Sequence, residues 1–252
     1  MVNFFTVVFY QPILNLLVFL YNTIAFQDLG IAIIVLTVLI KLILWPLGRQ
    51  SIKSQKALQD LQPKIEELKK KYADNKVELS RATMEMYKEN KVNPFSSCLP
   101  LLIQLPFLFA VYQVFRDGLG NKLDLVYSFI SKPEIINNIS FGFLDLNAPN
   151  IYLAVLAGLA QFWQAKMMIT NAPAIKSDGS KDESMTAIMN KQMLYFMPAI
   201  TIFIGWSLPG GLTLYWFVIT LLTALQQLVV FKKKNDSTNS GDKQLIEGEI
   251  IK

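Results

Sequence analysis

Long uninterrupted runs of apolar residues dominate this chain, and the segment 31–47, IAIIVLTVLIKLILWPL, shows the pattern most clearly. A helix needs about 20 apolar residues to cross a bilayer, and the segment 29–48 supplies them with Lys41 as its only charge. On insertion scales, a lysine at the centre of a membrane helix costs about 2.5 to 3.5 kcal/mol, so such a residue is by default a functional candidate. Lys41 is therefore the first candidate site residue.

Lys41 also has a simpler interpretation, in which the stem stays in the hydrocarbon and the ammonium reaches the headgroups. Side chains on a helix point back toward its N-terminus, so a lysine near the C-terminal end of 29–48 is aimed at the bilayer centre. Thr37 lies one turn earlier on the same face. This segment alone leaves both interpretations open.

Four further apolar runs predict four more membrane helices, so the predicted fold class is an all-α integral membrane protein with five transmembrane helices. The first segment contains Gln11, Pro12 and Asn15, which favours an amphipathic helix lying in the interface over a spanning helix. The predicted segments are an outward-facing interfacial helix, 1–26; five spans, 27–48, 94–116, 148–169, 192–207 and 212–231; a cytoplasmic helical hairpin, 49–93; an external loop, 117–147; a cytoplasmic loop, 170–191; a tight external turn, 208–211; and a cytoplasmic polar tail, 232–252.

The charged stretch 49–93 has the apolar spacing of two helices outside the membrane. Pro63 predicts a helix start or a kink, and Asn75 followed by Glu78 resembles a capping box that opens the second helix. The apolar positions at helical spacing in the first half are Ile52, Leu58, Leu61, Ile65, Leu68 and Tyr72.

The basic residues outside the spans are distributed very unevenly between the two sides. Eleven fall in 49–91, four in 166–191 and five in the tail, whereas the loop 116–147 on the other side holds three. Because cytoplasmic loops carry the excess of lysine and arginine, the hairpin, the linker and the tail are predicted to be cytoplasmic. The N-terminus is then outside and the C-terminus cytoplasmic.

Composition excludes several function classes. The chain has no histidine and a single cysteine, Cys98, so an internal disulfide is impossible and a His- or Cys-rich metal site is excluded. No nucleotide-binding loop or nucleophile elbow is present, so we expect neither a cofactor nor an enzyme activity. The competing class is a small transporter or channel with Lys41 as an anion site, although the sequence shows no inverted repeat.

Polar residues recur inside the predicted spans and give Lys41 plausible neighbours. Scattered Gln and Thr can reflect no more than hydrogen bonding between helices, but together with a charge they indicate a wet cavity open to the cytoplasm. Tyr215 and Trp216 are typical of the aromatic belt at a membrane surface. The polar residues are Gln104, Gln161, Gln164, Thr201, Thr213, Thr223 and Gln226.

Five short motifs occur in a fixed order along the chain. They are KLILWPL (41–47), LQPKI (61–65), YKENKVNP (87–94), LPLLIQLPFLFAVY (99–112) and LPGGLTLYW (208–216). In this order, over about 27–231, the chain resembles the YidC/Oxa/Alb family of membrane protein insertases, in its short bacterial form with five spans. The resemblance implies a bacterial cell membrane protein that inserts nascent membrane proteins without nucleotide hydrolysis, through a hydrophilic groove open to the cytoplasm and to lipid.

The resemblance also assigns roles to residues and partners. The family usually has arginine where this chain has Lys41; lysine keeps the charge but loses the planar fork that binds carboxylates with two hydrogen bonds. Nascent membrane proteins and membrane lipid are the expected partners, the ribosome and a Sec translocon are candidates, and no specific nucleic-acid sequence is expected. The candidate groove residues are Lys41, Thr37, Gln104, Gln161, Gln164 and Trp216. The candidate client-receiving residues of the hairpin are Ile52, Leu58, Leu61, Pro63, Ile65 and Tyr87.

Overall fold

The described residues fold almost entirely into helices, with one short β-hairpin. The computed structural model describes residues 4–73, 75–93, 99–116, 123–133, 135–170 and 191–250. The helices are α1 (Gln11–Thr23), α2 (Leu29–Ile43), α3 (Trp45–Asp60), α4 (Gln62–Lys71), α5 (Lys76–Glu89), α6 (Leu99–Arg116), α7 (Ile151–Thr170), α8 (Met197–Ser207) and α9 (Gly210–Ile250). The strands β1 (Ile139–Ser140) and β2 (Leu144–Asp145) pair antiparallel, and π-helical turns, Thr6–Tyr10 and Gln192–Phe196, lead into α1 and α8.

Length and hydropathy identify candidate membrane spans among the described residues. Thr6–Thr23 and Gly210–Phe231 are each long and apolar enough to cross a membrane, and the bent pair Leu29–Ile43 and Trp45–Lys71 makes a third if it counts as one span. Leu102–Arg116 and Gln192–Ser207 are shorter apolar helices. An all-α membrane protein is thus confirmed as the fold class, whereas the five spans stay a prediction. Of the predicted cytoplasmic loop 170–191, residues 171–190 lie outside the described residues.

The predicted span 27–48 is not one straight helix. α2 ends at Ile43, and the chain bends by 68° before α3 begins at Trp45. Pro46 explains the break, because its ring carries no N–H and would clash with the carbonyl of the fourth residue before it in a continuous helix. Lys41 consequently lies in the last turn of α2, where the helix dipole favours a positive charge.

A single large apolar cluster holds α1, α2, α6 and α9 together, with fully buried leucines such as Leu14, Leu29 and Leu36. α7 packs against both α8 and α9 and completes the bundle. The close approach of α7 and α8 depends on Gly158, where an added Cβ would lie 2.4 Å from the side chain of Ile202. α9 thus packs against α2, α3, α6 and α7.

The end of the predicted external loop 117–147 and the predicted external turn 208–211 meet at one end of the bundle. The N–H of Gly210 donates to the carbonyl of Ala148 at 3.0 Å, and the N–H of Gly211 donates to that of Leu146 at 2.8 Å. At the other end, a small cluster joins α3, α7 and α9. It consists of Ile52, Met168, Val230 and Phe231.

For most of its length, α1 lies along the described part of the loop 117–147. The side chain of Gln11 donates to the carbonyl of Leu125 at 3.1 Å, and Asn15 donates to the same carbonyl, also at 3.1 Å. Two turns later, Asn22 donates to the carbonyl of Ser131 at 2.6 Å. Gln11, Asn15 and Asn22 therefore face the loop.

Asp28 fastens the β-hairpin to the start of α2. Its carboxylate caps the helix by accepting from the N–H of Ile31 at 3.1 Å, and it also accepts from the hydroxyl of Ser140 and from the N–H of Phe141 at 2.6 Å. Ser140 is fully buried there. One side chain thus satisfies three donors from two segments.

Replacing Asp28 with alanine should therefore destabilise this end of the bundle. Loss of an N-cap costs about 0.5 to 2 kcal/mol. The buried Ser140 hydroxyl keeps the hydrogen bond that it accepts from the N–H of Gly30 but loses the acceptor for its own hydrogen, which raises the expected total to about 2 kcal/mol or more. Thermal unfolding of the protein in detergent measures the change. Alanine at the exposed Asp124 of the same loop is the control, and equal midpoints for the two variants would contradict the assignment.

Candidate functional site

Lys41 is held against α9 by a neutral partner. Its ammonium donates to the hydroxyl of Thr223 at 2.8 Å, and that hydroxyl in turn donates to the carbonyl of Ile219 at 2.7 Å. Lys41 is half-buried and has no acidic partner among the residues that the structure describes. The site is thus a cation on an apolar helix, and no carboxylate of the described residues offsets its charge.

Thr37 lies on the same helix but is fully buried. Its hydroxyl donates to the carbonyl of Ile33 at 2.6 Å, one turn earlier in α2. A hydroxyl that is buried and already donates within its own helix presents no free hydrogen to a ligand. Thr37 therefore packs inside the bundle, next to the site.

Gln104 reaches the same helix as Lys41. Its side-chain amide donates to the hydroxyl of Tyr215 on α9. Tyr215 is fully buried, so the aromatic-belt interpretation is wrong for this residue; Trp216 beside it is half-buried. Tyr215 and Thr223 are eight positions apart, which is about 12 Å along a helix. α9 thus carries two polar contacts in succession, one to α6 and one to α2.

Gln161 belongs to a different contact, because its carbonyl oxygen accepts from the hydroxyl of Thr201 between α7 and α8. Thr201 is buried. Gln164, one turn further along α7, is half-buried, and its side chain has no hydrogen-bond partner within the described part of the chain. The structure therefore brings Lys41 and Gln104 to α9 and places Gln161 with α8.

Gln226 is a buried polar residue whose role sequence reasoning missed. It is fully buried on α9, and its amide donates to the carbonyl of Trp45 at 3.0 Å, at the start of α3. Gly48 makes room for it, since an added Cβ there would lie 2.8 Å from the Gln226 carbonyl oxygen. Gln226 thus anchors the chain immediately after the 68° bend. Gly48, which lies one turn into α3, was the sequence feature that could have indicated this close contact.

Within the segment 49–93, the described residues form α4, α5 and most of α3, which begins before this segment. Pro63 lies in the first turn of α4, and Asn75 caps α5 by accepting from the N–H of Glu78 at 3.1 Å. α3 begins at Trp45, inside the predicted span 27–48. Both local predictions from capping and proline are confirmed.

The candidate residues of the hairpin are buried or half-buried. Leu61 and Ile65 are buried, whereas Leu58, Pro63 and Tyr87 are half-buried. Burial raises the pKa of Tyr87 above its ordinary value. Ile52 is buried in the separate cluster that joins α3 to α7 and α9.

The exposed apolar surface of the hairpin lies on α5 instead. Val77 is 77% exposed and Met84 is 48% exposed, and the two are seven positions apart on one face of the helix. The apolar spacing of the sequence does not single them out, because spacing alone does not separate an apolar face that is covered from one that is free. Among the described residues of the hairpin, these two are the large apolar side chains that are exposed.

No group of three or more acidic, cysteine or histidine side chains that could hold a metal occurs among the described residues. The polar contacts on α9 consist of a cation, hydroxyls and amides. Such a set can attract a carboxylate and exchange hydrogen bonds with a peptide backbone.

Comparison with known proteins gives a consistent result. A family profile described as "60Kd inner membrane protein" matches residues 19–238. The chain is 37% identical over 228 residues to a membrane protein insertase YidC of Fusobacterium nucleatum, covering 89% of this chain and 97% of that protein. It is 35% identical over 232 residues to YidC 1 of Listeria monocytogenes, covering 88% of this chain and 72% of the relative. A YidC of Syntrophus aciditrophicus is 37% identical over 225 residues, covering 88% of this chain but only 36% of the length of that relative.

Proposed function

The chain belongs to the 60Kd inner membrane protein family, and from this membership we infer that it is a membrane protein insertase, the activity for which its relatives are named. The observation that carries this function is the match over 97% of the short relative from Fusobacterium nucleatum. The relatives are named for insertion and not for catalysis, which agrees with the non-enzyme reading of the sequence. The chain is a bacterial membrane protein, and nascent membrane proteins are its clients.

We further propose that Lys41 attracts acidic residues of the client segment that must cross the membrane. Two unit charges 4 Å apart gain about 4 kcal/mol at an effective dielectric constant of about 20, before the desolvation of the client carboxylate is subtracted. What supports the proposal is the neutral partner: Thr223 orients the ammonium without cancelling its charge. A lysine already paired with a carboxylate would gain far less from a second one.

The polar contacts along α9 suggest how the client backbone is accommodated. An unpaired peptide group in hydrocarbon costs several kcal/mol, so groups that exchange hydrogen bonds lower the barrier to passage. Gln104 and Gln164 are half-buried and are the best placed candidates, with Trp216 as an apolar lining residue. Thr37 is assigned no contact with the client, since it is fully buried.

The proposed orientation places the loop 117–147 and the turn 208–211 outside, and the hairpin and the C-terminal tail in the cytoplasm. The count of basic residues supports it. The proposed five-span arrangement keeps α1 in the outer interface. Hydrogen bonds from Gln11, Asn15 and Asn22 to one loop support that placement, because a spanning helix would reach an external loop at one end only.

Crosslinking of a stalled nascent chain tests the insertase function against the transporter alternative. In a Cys98→Ala background, single cysteines replace Gln104 or Trp216, and a cysteine in place of Phe129, which is 81% exposed on the loop, serves as the control. We expect crosslinks from positions 104 and 216 well above those from 129. A small transporter should give none, so equal labelling at all three positions would overturn the proposal. Ribosomes or a Sec translocon co-purifying with the stalled complex would identify the proposed partners.

A further inference from the structure

One face of the β-hairpin packs against the bundle and leaves the aromatic side chains of its tip uncovered. Ser140 and its cross-strand partner Leu144 are buried, and the Ser140 hydroxyl accepts from the N–H of Gly30 at 3.0 Å, in the first turn of α2. Phe141 is 44% exposed and Phe143 is 81% exposed. The β-hairpin thus places two exposed phenylalanine residues beside the start of an apolar helix.

The tip of the β-hairpin holds a phenylalanine in a backbone conformation that favours glycine. The N–H of Phe143 donates to the carbonyl of Ser140 at 3.2 Å and closes a turn whose two central residues, Phe141 and Gly142, have φ angles of 53° and 79°. Such turns strongly prefer glycine, asparagine or aspartate at these positions. In water, a phenylalanine in this turn would therefore combine backbone strain with exposed apolar surface.

The α1–α2 corner has the same combination of features. Phe26 has a φ angle of 51° and is 91% exposed. Two residues later, the carboxylate of Asp28 accepts from the N–H of Phe141 at 2.6 Å, so the backbone of the corner and that of the β-hairpin tip meet at this side chain. Of the four non-glycine residues with positive φ angles in the described part of the chain, three lie here: Phe26, Gln27 and Phe141. Because unfavourable backbone conformations cluster at functional sites, this place is a candidate binding surface.

The location of this surface indicates a lipid leaflet as its partner. α2 is the apolar part of a candidate membrane span, and Asp28 and Gly30 lie at its start. An apolar membrane helix ends at the boundary between hydrocarbon and headgroups, where exposed phenylalanine side chains are stabilised. Three donors satisfy the carboxylate of Asp28, so this charge is not left unpaired near the lipid. Asp145 is exposed at the base of the β-hairpin, and its charge favours contact with lipid through the tip alone.

We propose that Phe26, Phe141 and Phe143 form one aromatic anchor that inserts into the membrane leaflet beside the first turn of α2. Asp28 caps α2 and binds the backbone of the β-hairpin, so it holds together the two strained segments that carry the rings. The anchor fixes the depth of α2 in the membrane at the end opposite Lys41, which lies in the last turn of the helix. This anchor requires α2 to lie in the membrane and does not depend on the insertase function.

Labelling of single cysteines in the full-length protein tests the anchor. In a Cys98→Ala background, the variants are Phe26→Cys, Phe143→Cys and, as a control on the exposed surface of α5, Lys88→Cys. Nanodiscs of phosphatidylcholine and phosphatidylglycerol leave both membrane faces open to a charged, water-soluble thiol reagent. We expect the reagent to modify positions 26 and 143 about tenfold more slowly than position 88, because it reacts only with side chains that have left the lipid. A spin label at position 26 or 143 should collide with oxygen, which dissolves in lipid, more often than with a water-soluble nickel complex.

A variant of the turn separates the anchor from local packing. Phe141→Asn keeps the turn, because asparagine tolerates positive φ angles, but it removes one ring. It should therefore speed the modification of Phe143→Cys several-fold, and equal rates with and without it would refute a joint anchor. Equal modification at positions 26, 143 and 88 would place the tip in water and overturn the proposal. Protection of position 143 from both oxygen and the nickel complex would show that protein, such as a second copy of this chain, covers the surface in place of lipid, and would also overturn it.

Discussion

Replacing Lys41 with alanine should reduce insertion of a client with an acidic translocated tail by about tenfold or more. The proposed attraction of about 4 kcal/mol loses part of its value to desolvation, and 1.4 kcal/mol of the remainder already corresponds to a factor of ten. The measurement is protease protection of the translocated tail, in cells depleted of their own insertase or in vesicles. Lys41→Arg keeps the charge and should retain most of the activity.

Matched variants isolate the charge from the packing around it. Thr223→Val removes the hydroxyl that accepts from Lys41 but leaves the ammonium in place, so insertion should fall by less than threefold. A client with a neutral tail should be inserted by the alanine variant at close to the wild-type rate. Full insertion of the acidic-tailed client by a correctly folded alanine variant would disprove the electrostatic role of Lys41.

The sequence predicted the elements whose cause is local. Pro63 and Asn75 set the starts of α4 and α5 through backbone geometry and one hydrogen bond, and neither depends on distant residues. Lys41 was recognised because a charge in an apolar helix is costly wherever its partner lies. Helix starts that depend on local chemistry, and a charge that is costly in an apolar helix, can therefore be predicted from the sequence alone.

Long-range contacts were not readable in the same way. Thr223 was one of several polar residues in spans, and only the packing of α2 on α9 makes it the partner of Lys41. Tyrosine is a common residue type in the aromatic belt, yet Tyr215 is fully buried and bonded to Gln104 of α6. The bend at Leu44 was missed because hydropathy continues through Pro46, while helix geometry does not.

Removing the α4–α5 hairpin, residues 62–89, and closing the gap with a Gly/Ser linker should impair client delivery about tenfold while the rest of the bundle stays assembled. The deletion removes the exposed Val77 and Met84, and burial of such side chains against a client stabilises the complex by about 1.5 to 3 kcal/mol each when it is complete. It spares Ile52, which packs against α7 and α9. Crosslinking of a stalled nascent chain and its insertion into vesicles measure delivery.

The position of the cut determines what the experiment reports. A deletion that began at Ile52 would remove a residue of the cluster with Met168, Val230 and Phe231, and lost activity would then reflect a damaged bundle. The double variant Val77→Ser with Met84→Ser tests the receiving surface without any deletion, because both side chains are exposed and neither supports the fold. Its activity should fall in the same direction as that of the deletion. If the double variant delivers clients normally while the deletion does not, the hairpin acts through other residues; if both deliver normally, it is only a connector between α3 and α6.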